Sequence, residues 1–376
     1  MELESTNLIS IKNTKNELLI KNYTYEKDVK KFLNIIFSVA EFINTLILII
    51  LLIFFILYKL KEFLYSSYPE LFGILKKNIT YYQDFQHKFC DSILDSYNKE
   101  LEKNINLYNV SLKHYKFDMY LYKNNDYFSS KIIANQSLES EETLHMLNAL
   151  NYYANKYDYL NSDIVIIDIG SNAGWYAAFL GNLNFTILSF ESMPENIYLF
   201  NKNFCRNNKA LFGNISTVTV INKILYPKET YCDYYKDLNN SKKYVVLCDK
   251  TKEKNLDKNY IKKAQVKSEP LSKFIPLINN KRMTLLRLDL HYEGENAIES
   301  GKELITIYHI PFIFIEFNLS MFTLHETKPQ DFLRFFIING YKISLNGFLS
   351  NEFINIEDIL KTYFVKINLY LVYTGK

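Results

Sequence analysis

A chain of 376 residues and 44.6 kDa has room for about two or three domains, or for one large α/β domain with additions. Apolar residues make up 48% and charged residues 23%, with only 7 Pro and 10 Gly, which excludes a low-complexity or collagen-like chain and provides for a sizeable core. The 44 basic and 41 acidic residues leave a net charge of +3, without the clustered excess of Lys and Arg that a nucleic-acid partner requires.

After a polar tail (1–31), an anchor is expected over 32–60. Its run from Val39 to Tyr58 carries one charge, Glu41, and about 20 helical residues at 1.5 Å each span a hydrocarbon core. The run lies too deep in the chain for a cleaved signal peptide, and Leu46 to Leu57 has no polar face, so it reads as a single transmembrane helix. Lys21, Lys27, Lys30 and Lys31 before it balance Lys59, Lys61, Lys76 and Lys77 after it, so charge does not set the orientation. Sequons beginning at Asn78, Asn109, Asn135, Asn184, Asn214, Asn239 and Asn318 tilt the expectation to a lumenal C-terminal domain in the endoplasmic reticulum or Golgi, although Asn184 falls in an expected buried strand. Over 61–109, apolar residues from Leu71 to Ile105 recur at three and four, which predicts a helical stem.

From residue 110 the pattern alternates. KFDMYLY reads as a strand and Leu138 to Tyr157 as a helix; then DIVIIDIG, FTILSF, TVTVI, MTLLRLDL, FIFIEF and YKISL read as strands, with helices beginning at Ala173, Pro194, Gly294 and Pro329 between them. Short buried strands separated by helices predict a parallel sheet covered on both faces, with ligands beyond the carboxyl ends of its strands. The Lys-rich stretch 242–263 reads as a solvated insertion or a substrate lid. Cys90, Cys205, Cys232 and Cys248 are too widely spaced for a C-x-x-C pair, so no metal is expected. Four ordinary thiols is the plainer reading; an oxidising lumen would allow disulfides, with Cys232 and Cys248 the first pair to expect.

The strand ends carry the chemistry. The first runs Asp168-Ile169-Gly170-Ser171-Asn172-Ala173-Gly174-Trp175, and the second ends at Glu191. Gly170 and Gly174 permit a tight turn and close approach of a ligand to backbone. A dinucleotide site needs G-x-G-x-x-G, whereas Asn172 interrupts that spacing. S-adenosylmethionine carries no phosphate; Asp168 suits its ammonium side and Glu191 its ribose hydroxyls. Trp175, the only tryptophan, is expected to pack its helix on the sheet.

VIIDIGSNAGWYAAFL followed by ILSFESMPENIYLFNKNFCRNN resembles the start of the FkbM-type S-adenosylmethionine-dependent methyltransferases, with D-x-G-x-N-x-G and then an acid, a Pro and an Asn-rich helix. VKSEPLSKFI, LLRLDLHYEGENAIESG, FIFIEF and FFIINGYKI resemble later segments of that family in order, with Ser272 where an Asp is usual. The resemblance covers about 163 to 345. It implies a Rossmann-like, seven-stranded class I methyltransferase sheet over 110–376. Asp168, Gly170, Asn172, Gly174 and Glu191 would hold S-adenosylmethionine, and the acceptor would be a hydroxyl of a glycan or other small polyol-like molecule. The segment after Asp289 is two residues longer than the family's Asp-x-Glu-Gly, Arg287 replaces a Lys, and TVTVI ends without an acid, leaving a purine contact to backbone or Asn222.

O-methylation needs a nucleophile held in line with the methyl group and a base for its proton. Asp289, His291, Glu293 and Glu316 are the candidates; the alternative readings make Asp289 and Glu316 neighbours of the cofactor, Glu293 a helix cap and His291 a loop residue. Two rival readings stand beside this one: a catalytically silent membrane-tethered scaffold, and a nicotinamide-dependent enzyme.

Overall fold

The computed structural model describes residues 31, 33–36, 38–39, 42–43, 45, 102–123, 126–208, 218–238, 244–256, 258–278, 281–289, 294–322, 327–362 and 366–375. Two compact units are distinguished, Met1–Gln86 and His87–Lys376. In the first, the described residues are helical and exposed. Among the described residues no helix is long and apolar enough to cross a membrane; most of the anchor expected at 32–60, and the stem up to residue 101, lie outside them.

The second unit opens with an antiparallel hairpin of β1 (Ile105–Leu112) and β2 (Tyr115–Tyr122). Ile105, expected to close a helical stripe, instead begins β1: Val110 and Leu112 are buried while their neighbours are not, a period of two that the stripe obscured. Helices α1 (Tyr127–Asn135) and α2 (Ser140–Tyr157) follow. Next come β3 (Ile164–Ile169), α3 (Trp175–Asn182), β4 (Thr186–Glu191), α4 (Pro194–Asn208) and β5 (Val218–Asn222).

An inserted four-stranded sheet interrupts the alternation. Its strands are β6 (Ile224–Leu225), β7 (Thr230–Asp237), β8 (Tyr244–Leu247) and β9 (Tyr260–Glu269), in the order β6-β9-β7-β8. The main sheet resumes with β10 (Arg282–Leu288), α5 (Gly294–Glu299), α6 (Glu303–Thr306), β11 (Phe312–Asn318), α7 (Pro329–Ile338), β12 (Tyr341–Ser344), α8 (Ile356–Thr362) and β13 (Lys366–Tyr373).

The main sheet has seven strands in the order β12-β13-β11-β10-β3-β4-β5. Numbered within the sheet, β5-β4-β3-β10-β11 is the 3-2-1-4-5 order of a doubly wound fold, all parallel. The methyltransferase-like α/β sheet implied by the resemblance is present, but it is mixed: β13 runs antiparallel between β11 and β12. Every residue of β3 is buried because both faces are covered. Ile164 and Ile166 join the core containing Trp175, Phe179 and Phe200, while Val165, Ile167 and Ile169 join the core containing Leu333 and Phe336. Trp175 is fully buried and donates from Nε1 to Thr143 Oγ1 at 3.2 Å, tying α3 to α2.

Three expectations are corrected. The Lys-rich stretch is more than a solvated excursion, since it contributes β8 and the first four residues of β9, where Lys262 and Lys263 are exposed. The cysteines are not ordinary thiols: Cys232 and Cys248 form a disulfide across β7 and β8, and Cys205 is disulfide-bonded as well. Asn184 lies in a turn at φ 70°, ahead of β4 rather than within it, since the chain must reverse between α3 and the sheet.

Candidate functional site

The turn after β3 sits over the crevice where the strand order reverses. Gly170, Asn172 and Gly174 adopt φ of 82°, 51° and 83°. The N–H groups of Gly170 and Ser171 donate to Phe190 O at 3.0 and 3.1 Å, and that of Asn172 to Glu191 Oε2 at 2.9 Å. Those of Ala173 and Gly174 donate to Asn172 Oδ1 at 2.8 Å and Ser171 O at 2.9 Å. Every backbone donor of the turn is therefore engaged inside the protein.

Glu191 is buried at the end of β4. Its Oε1 accepts from Met193 N at 2.8 Å, so both carboxylate oxygens are oriented by backbone, each with lone-pair capacity left. Burial pushes this carboxyl up, against the pull of those N–H groups. Asn222 donates from Nδ2 to Glu191 O and Ser192 O, both at 3.1 Å, so its amide nitrogen fixes the loop after β4.

On the other side of the turn lies an ionic network. Asp168 is fully buried on β3, opposite Arg287 of β10 in the parallel register. Arg287 donates from Nη1 to Asp168 Oδ1 at 2.9 Å and from Nη2 to Asp289 Oδ2 at 2.5 Å, with its guanidinium 4.1 Å from the Tyr176 ring centre. Burial raises the Asp168 carboxyl, partly offset by Arg287. Glu139, which precedes α2, accepts from Tyr176 OH at 2.8 Å and lies 4.0 Å from Arg287 and 3.9 Å from Lys366. Lys366, at the start of β13, forms an ion pair with the buried Glu316 at the end of β11.

These groups surround a cavity of about 250 Å³. Its floor is Ile169, Gly170 and Asn172. Glu191 lies on the β4 side, with Phe190, Ile224, Leu225 and Val246 making an apolar wall. Glu139, Asp289, Glu316 and Lys366 form the β10–β11 side, and α1 contributes Tyr127, Phe128 and Lys131.

Five of the residues singled out in the sequence thus meet at one cavity: Gly170, Asn172, Glu191, Asp289 and Glu316. Gly174 shapes the turn without lining the cavity, and Asp168 stands behind it against Arg287. His291 and Glu293 lie outside the described residues. Sequence reasoning missed Lys131, Glu139 and Lys366. Glu139 is one residue into the predicted helix and gives no signal of its own, whereas the alternation in KINLYLVY marks a strand whose first residue is Lys366. Among the described residues no group of three His, Cys, Asp or Glu is arranged to hold a metal.

No protein-family model matches the sequence, and no curated protein does. Among solved structures, the chain is similar to WbdD, a bifunctional kinase-methyltransferase, at TM-score 0.34 and 14% identity over 65% of this chain and 43% of that one. It thus spans less than half the length of WbdD. It is also similar to precorrin-6y C5,15-methyltransferase from Geobacter metallireducens GS-15, at TM-score 0.30 and 13% identity over 65% of this chain and 93% of that one. A third is magnesium protoporphyrin IX methyltransferase (ChlM) from Synechocystis PCC 6803 with bound SAM, at TM-score 0.32 and 11% identity over 67% and 86%. These are likenesses of fold.

Proposed function

We propose that the chain is an S-adenosylmethionine-dependent methyltransferase acting on a hydroxyl oxygen of a glycan or other small polyol-like acceptor, held at a membrane by the segment 32–60. The observation that carries this reading is the cavity itself, which runs along the carboxyl edge of the sheet from Glu191 to Asp289 and Glu316 across the Gly170 turn.

The residues fit the group. Glu191 retains acceptor capacity for a ribose diol, and the apolar wall beside it suits a purine. Glu139, Asp289 and Glu316 line the opposite side, and although Arg287 and Lys366 pair with two of them, carboxylate oxygens there suit a sulfonium and an ammonium. A nicotinamide dinucleotide is disfavoured because its pyrophosphate needs free backbone N–H groups, and those of residues 170–174 are all engaged. When bound, S-adenosylmethionine supplies an electrophilic methyl carbon. Glu316, with its raised proton affinity, takes the proton of the acceptor hydroxyl; Asp168 positions Arg287, which in turn fixes Asp289.

The test is calorimetric titration of the full chain in detergent micelles with S-adenosylmethionine and S-adenosylhomocysteine. The wild type is expected to bind both, and Glu191→Gln to weaken each by about tenfold or more, since hydrogen bonds to a charged acceptor contribute about 1.5–3 kcal/mol. A folded chain, verified by circular dichroism, that binds neither ligand would sink the enzyme reading and leave a tethered scaffold.

A further inference from the structure

Of the charged side chains lining the cavity, all but one are already satisfied by protein groups. Lys223 pairs with Glu269 at 3.1 Å, Lys366 with Glu316, and Asp289 with Arg287. Glu139 accepts from Tyr176, and Glu191 from backbone. Lys131 is the exception. Among the described residues no acceptor takes a hydrogen bond or ion pair from it; its ammonium lies 4.5 Å from the ring centre of Tyr127, one turn earlier on the same helix.

Lys131 is carried by α1, whose first five residues border the cavity through Tyr127, Phe128 and Lys131. Phe128, in the first turn, packs against Ala173 and Leu199 next to the Gly170 turn, and Glu139 beyond its far end reaches the Lys366 side. Lys131 lies between these points in sequence and faces the same space. The backbone donors of the turn below are engaged, so an anionic group on a ligand lying across the turn finds its free counter-charge in this ammonium.

We propose that Lys131 binds the α-carboxylate of the methionyl part of S-adenosylmethionine, and so selects ligands that carry this group. The inference rests on the cofactor reading given above. It divides the cavity's chemistry: the diol goes to Glu191, the cationic centres to the acidic side, and the one anionic group to the one lining cation that has no carboxylate partner among the described residues.

The experiment compares S-adenosylhomocysteine with decarboxylated S-adenosylmethionine, which keeps the amine and lacks the carboxylate, and with methylthioadenosine, which lacks both. Each is titrated into the full chain as wild type, Lys131→Met and Lys131→Arg. Met keeps the apolar stem and a good helix propensity, so α1 is preserved. Lys131→Met is expected to weaken S-adenosylhomocysteine by about tenfold or more and leave the other two ligands unchanged, with Lys131→Arg retaining most of the affinity. If all three ligands weaken equally, Lys131 merely shapes the helix and the proposal is overturned. Unchanged affinity for S-adenosylhomocysteine in Lys131→Met also overturns it, while the cofactor reading survives. Wild type that binds none of the three removes both.

Discussion

Gly174 has no room for a side chain. A Cβ there would meet Phe200 Cδ2 at 2.6 Å, and the residue holds φ +83°, a conformation that L side chains rarely adopt. Gly174→Ala is expected to destabilise the folded chain by about 2 kcal/mol, part from backbone strain and part from displacement of the ring. Pairing it with Phe200→Leu should recover only the steric part, because the torsion remains. Urea denaturation measures both, and a Gly174→Ala variant as stable as wild type would show that the turn is not held where it is seen. Glu316 presents an electrostatic case. Burial, with the charge of Asp289 nearby, pushes its carboxyl from 4.5 up to about 8 against the pull of Lys366. The folded chain therefore holds this proton more tightly than the unfolded one, and the group's contribution to stability falls as pH rises between those two values. Glu316→Gln is expected to flatten the decline of Tm between about pH 5 and pH 8 relative to wild type. Equal slopes in the two proteins, followed by scanning fluorimetry, would place the proton elsewhere. If Glu316 is the base, methyl transfer rises through the same interval in which stability falls, because the base works only when deprotonated.

At the level of elements, the inserted sheet depends on a covalent closure. Among the described residues strand β8 is an edge strand, paired with β7 over Asp233–Leu247 to Lys236–Tyr244. The Cys232–Cys248 bond closes the end of that pairing, 16 residues apart in sequence, and buries Cys232 with Ile224, Tyr234 and Val246. Closing a loop of this length is worth about 3 kcal/mol through the unfolded state. The double substitution Cys232→Ser with Cys248→Ser should lower the denaturation midpoint accordingly and make it less sensitive to a dithiol reductant; an unchanged midpoint would mean that β8 is held by packing alone. Ile224 and Val246 also line the cavity, so the same bond steadies one wall of the site. The strength of the sequence signal differs sharply between elements. Strands β3, β4, β10 and β11 are apolar runs with an Asp or Glu within two residues of their carboxyl ends, and they are plain in the sequence. Helix α1 and strand β13 lie outside the family-like segment and carry Lys131 and Lys366, which is why these two of the cavity's three lysines went unread.

For the molecule as a whole, the order of the main-sheet strands and their helices is legible from 163 to 345 because these strands are short apolar runs bounded by turn residues, whereas the inserted sheet at 224–269 is not. Strand direction is another matter. An alternating segment such as KINLYLVY marks a strand but not its partner, and only the three-dimensional register shows Lys366 opposite Asn318 and near Glu316. The Asp168–Arg287 pair joins residues 119 positions apart. Asp168 reads in sequence as a cofactor contact because its motif is local, whereas the partner that engages it is set by the parallel register of β3 and β10.

The place of β13 bears on how the domain is made. It is the last strand of the main sheet to leave the ribosome, yet it lies between two that precede it. Until residues 366–373 have been synthesised, β12 has no neighbour in the sheet, β11 presents an open edge along Phe312–Asn318, and Glu316 lacks its ammonium. The nascent chain thus passes through an interval in which an apolar strand edge and an unneutralised acidic pocket are both uncovered, the condition under which a partly built α/β sheet becomes a client of chaperones.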